Sequence, residues 1–271
     1  MKRVVIAGHR GRMGRLLMDR LSRQPDVEAA GLDLPFSEEN VAEACRGARA
    51  VILCVPASAI EEAAETFVPH MEEDAILSDI ASVKERPMAA MERLWPGPVV
   101  GTHPLFGPAP AEGMELRVSI VPGKKASEPD IAFIESLFHG FGCTAFRTTA
   151  EKHDLAQAKI QGLNFITSAV YFAMTAEDPD LRPFITPSFQ LRLDASEKLL
   201  TEDGPLFIGL FEENPHSRPI VRQFLDMLTE TSSGGMFPVL DRAQQWWKEK
   251  AEKDRLEAEK LQPSPAGLEK E

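Results

Sequence analysis

Three groups of residues in this chain have types and spacings that could do chemistry. Gly8-His9-Arg10-Gly11-Arg12-Met13-Gly14 sits between an apolar run and a helical one. Glycines at these places let a strand turn sharply into a helix, let backbone approach a pyrophosphate, and let the helix pack close to a sheet. The helix N-terminus then offers unpaired N–H groups to phosphate oxygens. The spacing is GxxGxxG, with His9 at the place of the first glycine of the commoner GxGxxG. Asp33 ends the next apolar run, 19 residues after Gly14. A carboxylate there can accept hydrogen bonds from an adenosine ribose and would repel a 2′-phosphate. The pair points to NAD, with Arg10 and Arg12 leaving room for NADP. The duller alternative is a turn whose glycines serve packing and whose aspartate is an ordinary surface residue.

The second group is His103-Pro104-Leu105-Phe106-Gly107-Pro108. An imidazole of ordinary pKa, near ~6.5, is suited to accept a hydroxyl proton at neutral pH. A lone histidine before proline is more often an inert strand end. This one ends a strand on the ligand-binding edge of an open sheet, in a loop stiffened by glycine and proline. Burial by Leu105 and Phe106 would help to keep it neutral. The third group is Asp79-Ile80-Ala81-Ser82-Val83-Lys84. Here Ser82 either satisfies its own loop or hydrogen-bonds both His103 and a substrate hydroxyl.

The elements that must position these groups read as alternating strands and helices. Strands are expected at 3–7, 27–32, 50–55, 75–78, 99–101, 119–121 and 143–147. Helices are expected at 12–22, 38–46, 58–68, 86–94 and 129–139. The run Ala50 to Val55, stopped by Pro56, has the continuous apolar character of a strand buried on both faces. Alternation of this kind implies a doubly wound parallel sheet with helices on both faces, an α/β Rossmann-type domain over 1–149. From residue 150 the pattern becomes all-helical, with helices at 151–174, 188–202, 205–213, 216–231 and 246–261, so 150–261 reads as a second, helical domain. Residues 262–271, with two prolines and a glycine, read as a flexible tail. The first of these helices carries His153, Gln157, Gln161, Asn164 and Ser168 at helical spacing. Such a stripe either faces water or lines a cleft between the domains.

Composition narrows the classes. A net charge of -12 with no basic stretch argues against a nucleic-acid partner, although a local anion pocket is compatible with it. Three scattered cysteines give neither a disulfide framework nor a metal knuckle, and no metal is expected. The chain starts Met-Lys-Arg and runs directly into a strand, and no stretch has the length of a membrane span. A cytoplasmic protein acting on a small molecule is the expectation.

Together these motifs resemble the prephenate dehydrogenase family of tyrosine biosynthesis. The resemblance runs from the glycine turn through Asp79–Lys84, His103–Pro108 and Glu151-Lys152-His153-Asp154, and more weakly to Trp246-Trp247. The Gly-Arg-Met-Gly turn alone is also similar to dihydrodipicolinate reductase, whose other characteristic segments are missing. The resemblance implies NAD-dependent oxidative decarboxylation of prephenate to 4-hydroxyphenylpyruvate, with His103 and Ser82 as the catalytic residues. It also implies a homodimer formed through the helical domain. The cofactor set expected is Gly8, Arg10, Gly11, Arg12, Met13, Gly14, Asp33, Val55 and Pro56; the substrate set is Lys198, Gln161 and His153. Two positions depart from the family pattern: Phe165 stands where many members have a histidine, and Lys198 where many have a carboxylate-binding arginine. Lysine keeps the charge and loses the bidentate fork, unless Arg192 or Arg222 compensates. Arogenate, the amino analogue of prephenate, would undergo the same chemistry. A non-catalytic NAD-binding regulatory protein is the reading from another class.

Overall fold

A computed structural model describes residues 1–261. The expected tail, 262–271, lies outside the described residues. Seven strands form one sheet in the order β2-β1-β3-β4-β5-β6-β7: β1 (Lys2–Ala7), β2 (Val27–Leu32), β3 (Ala48–Leu53), β4 (Ile76–Asp79), β5 (Val99–Pro104), β6 (Leu116–Pro122) and β7 (Cys143–Arg147). The first five are parallel. Their continuous apolar runs divide by alternation between two cores. Val5, Ala7, Val51 and Leu53 face α2 (Glu38–Cys45), α3 (Ile60–Phe67) and α4 (Glu85–Leu94). Val4, Ile6, Ala50 and Ile52 face α1 (Arg12–Leu21) and α5 (Glu128–His139). Burial on both faces is why these strands lack polar alternation.

The sheet is not parallel throughout. β6 pairs antiparallel with β5, and β7 then runs parallel to β6. Only residues 105–115 join β5 to β6, and a parallel return needs a crossover of a dozen residues or more, usually a helix. The loop contains Pro108 and Pro110 and forms none. β6 also begins three residues earlier than the apolar core of Ser119–Val121 suggests, because its first residues, Leu116 to Val118, pair with β7.

Beyond the sheet, the long helix after residue 150 is one path with a defect. α6 (Ala150–Gln157) passes into a π-helical segment, Ala158–Leu163, and continues as α7 (Asn164–Ala176). Then come α8 (Pro187–Thr201), α9 (Gly204–Glu213), α10 (Ser217–Ser232) and α11 (Met236–Leu261). α11 starts ten residues before the expected Trp246, since Pro238 falls in its first turn, where proline costs no hydrogen bond. The chain divides into two compact units, Met1–Arg218 and a second beginning at Pro219. The first contains the sheet and α1 to α9. Among the described residues no helix is long and apolar enough to cross a membrane.

Candidate active site

The glycine turn lies where strand order reverses, between the carboxyl ends of β1 and β3, the place at which open α/β sheets bind ligands. Gly8 has φ +86°, and a Cβ on it would lie 2.5 Å from the Cys54 carbonyl oxygen. A Cβ on Gly14 would lie 2.2 Å from the Gly8 carbonyl oxygen, so any side chain there would force α1 off the turn. Asp33 Oδ2 accepts a hydrogen bond from the Arg10 backbone N–H at 2.7 Å, and Oδ1 accepts one from Leu34 at 3.0 Å. Each oxygen keeps lone-pair capacity for a hydroxyl. Gly8, Gly11, Asp33, Val55 and Pro56 line one cavity of about 260 Å³. Its glycine floor and carboxylate suit the pyrophosphate and ribose of a dinucleotide.

A second cavity of about 610 Å³ shares Cys54, Val55 and Pro56 with the first. Around it stand Arg12, Met13, Ser82, His103, Gln161 and Lys198, and α9 supplies an apolar wall of Leu206, Phe207 and Leu210. His103, at the end of β5, is 4% exposed. Its Nδ1 lies 2.9 Å from Nε2 of His153. That is the hydrogen bond His103 makes; Ser82 borders the same cavity without one to it. Burial holds the His103 imidazole well below its ordinary range, and the neighbouring His153 and the positive charge of Lys84 push it further down. It is therefore neutral at neutral pH.

Behind His103 the polar chain continues. His153 Nδ1 is 2.8 Å from Asp154 Oδ1. Asp154 accepts the backbone N–H groups of Lys84 at 2.7 Å and Glu85 at 2.8 Å, capping α4 from a position 70 residues away. Its own carbonyl accepts from Asn214 Nδ2 at 2.8 Å. Lys84 and Asp79 form a fully buried ion pair beneath the loop that carries Ser82. Burial raises the Asp79 carboxyl and lowers the Lys84 ammonium, each against the pull of the other.

The polar stripe after residue 150 splits three ways. His153, Gln157 and Ser168 are buried, Gln161 reaches the cavity, and Asn164 is exposed. The π turn adds a residue to the repeat and so changes which face each side chain occupies; such turns recur at functional sites. Lys198 is mostly exposed and lies 3.9 Å from Asp203, which Arg12 approaches at 3.4 Å. Motif reading passed over Asp203 and Asp154. Asp203 had a signal in its place before Gly204-Pro205 at a helix start; Asp154 stood inside Glu151-Lys-His-Asp154 without an assigned role.

A family model for the nucleotide-binding domain of prephenate dehydrogenase matches residues 12–144, the segment from the glycine turn to β7. Residues 12–144 belong to the prephenate dehydrogenase family. The T-protein of Enterobacter agglomerans is 28% identical over 95% of this chain and 71% of that protein. Among solved structures, Synechocystis arogenate dehydrogenase is 23% identical with a TM-score of 0.72, covering 93% of this chain and 99% of that one. Aquifex aeolicus prephenate dehydrogenase, in complex with hydroxyphenyl propionate and NAD+, is 17% identical with a TM-score of 0.70 over 97% and 99% of the two chains. These two share the fold.

The matched segment is that of an oxidoreductase family, and the chain's two departures from the family pattern have definite places. Phe165 is buried and stacks on Phe207 with ring centroids 5.6 Å apart, joining the apolar wall. Lys198 borders the cavity, whereas Arg192 is 4.0 Å over the Tyr171 ring, outside that lining. Arg222 belongs to the second compact unit.

Proposed function

We propose that the chain catalyses NAD-dependent oxidative decarboxylation of prephenate to 4-hydroxyphenylpyruvate, in tyrosine biosynthesis. The observation that carries this is His103: neutral, buried, tied at Nδ1, and bordering a cavity that adjoins the nucleotide cradle at Cys54, Val55 and Pro56. Asp33 would receive the ribose hydroxyls, Gly8, Gly11 and Gly14 would admit the pyrophosphate, and Arg10, Arg12, Met13, Val55 and Pro56 would flank it. When bound, the nicotinamide supplies the acceptor for the hydride that leaves C4. His103 Nε2 takes the C4 hydroxyl proton. The ring carboxylate departs as carbon dioxide, its electron pair completes the aromatic ring, and the proton returns to the phenolate oxygen. Ser82 holds the hydroxyl in line, while Lys198 and Gln161 orient the rest of the substrate.

Arogenate is the second reading, favoured by Asp203. A carboxylate beside Lys198 in the same cavity is a partner for an ammonium group, which arogenate carries and prephenate lacks. In this account 1–149 is the dinucleotide-binding domain and 150–261 the substrate and dimerisation domain. Exposed Trp246, Trp247 and Phe237 on α11 support a homodimer; sedimentation showing only monomer would remove that part. Three unpaired cysteines support a cytoplasmic site.

The test is His103→Asn. Turnover should fall about 10²- to 10⁴-fold, the range of a positioned general base, with NAD affinity retained. Unchanged turnover would take His103 out of the reaction.

A further inference from the structure

We infer that His153 and Asp154 are positioning residues that fix the tautomer of His103, with the proton on Nδ1 and the lone pair on Nε2 towards the cavity. The inference deepens the proposed reaction and rests on it for its catalytic meaning. The geometry fixes the direction of each hydrogen bond in turn. Asp154, as a carboxylate, can only accept. Its Oδ1 already receives the Lys84 N–H and its Oδ2 the Glu85 N–H, so His153 Nδ1 must donate to it. A neutral imidazole has one N–H, which leaves His153 Nε2 as an acceptor. The 2.9 Å contact to His103 is then Nδ1–H of His103 donating to Nε2 of His153.

His103 Nε2 is left as the bare nitrogen, the atom a base needs. Reversing either hydrogen bond would put the proton on Nε2 and abolish the base. The rings cannot swing to escape this order. Both histidines are 4% exposed, they meet edge to face with centroids 5.1 Å apart, and Asp154 is fully buried. The far end of the chain is anchored twice, by the first turn of α4 and by Asn214. When His103 Nε2 takes the substrate proton, the imidazolium formed has its Nδ1–H directed through His153 to a carboxylate. The arrangement shares the logic by which a buried carboxylate holds a triad histidine, with a second imidazole interposed. His153 therefore acts from behind His103, and it is absent from the residues bordering the cavity.

Two readouts test this. In protein labelled with ¹⁵N-histidine, long-range proton–nitrogen correlation assigns each ring nitrogen, and the His103 signals are those missing from His103→Asn. Nδ1 of His103 should resonate in the protonated range and Nε2 in the unprotonated range, whatever the substrate proves to be. A protonated Nε2, or protons on both nitrogens of His153, at neutral pH would overturn the assignment. In kinetics, His153→Leu should lower kcat about 10²-fold with the KM for NAD unchanged. His153→Gln, which offers Oε1 as an acceptor near the former Nε2, should recover most of that loss. Equal loss in both variants, with native melting temperatures, would reduce His153 to packing. Absence of turnover in the wild type with the expected tautomer present would instead strike the proposed reaction and leave the tautomer assignment standing.

Discussion

His103 gains its properties from its surroundings more than from its own type. A free imidazole titrates near ~6.5, half-charged close to neutrality. Burial, then His153, then the charge on Lys84 move this one well below that. The consequence for rate is specific: the acid limb of the kcat/KM profile, which reports the free enzyme's base, should lie below the ordinary imidazole value. A limb at or above it would mean that another group titrates. The consequence for stability has the same origin. Between the lowered native value and the ordinary one, the unfolded chain binds a proton that the folded chain does not. Stability is therefore present above the ordinary value and is lost as pH falls through that window. At this scale the sequence was informative where a motif is contiguous, as in His103–Pro108 and the glycine turn. It was silent on Asp154 and Asp203, because their partners Lys84, Glu85 and Arg12 lie 69 to 191 residues away.

Elements carry these residues into place, and α4 is the one on which several converge. Its first turn is capped by Asp154 from α6, the residue before it, Lys84, pairs with Asp79 at the end of β4, and Asp79 in turn accepts the Ala81 N–H. The loop bearing Ser82 is thus shaped by a buried ion pair. Replacing one member leaves the other charged and alone, so Lys84→Met should cost about 3–5 kcal/mol in denaturant unfolding. A loss under about 1 kcal/mol would show that water or another group reaches Asp79. Sequence periodicity located most strands and helices because each face of the sheet buries a continuous apolar set. It did not reveal the antiparallel β6, whose direction depends on a loop being too short for a crossover. Nor did it show the π segment at Ala158–Leu163, since one extra residue in a turn leaves the composition of the helix unchanged.

At the scale of the molecule, a glycine cradle and a neutral imidazole border two adjoining cavities that share Cys54, Val55 and Pro56. The sequence placed the glycine turn and His103 at the ligand-binding edge of an α/β sheet, where strand carboxyl ends meet. The choice between a keto and an amino substrate was beyond it, because Lys198 and Asp203 reach Arg12 and the cavity only after α8 and α9 have folded back toward α1. The account rests on one activity. The most direct measurement is NADH formation by the purified chain with NAD, run with prephenate and beside it with arogenate. The account predicts NADH in proportion to protein, from prephenate first and from arogenate if Asp203 receives the ammonium. No NADH from either substrate, while NAD binding is measurable, would contradict it.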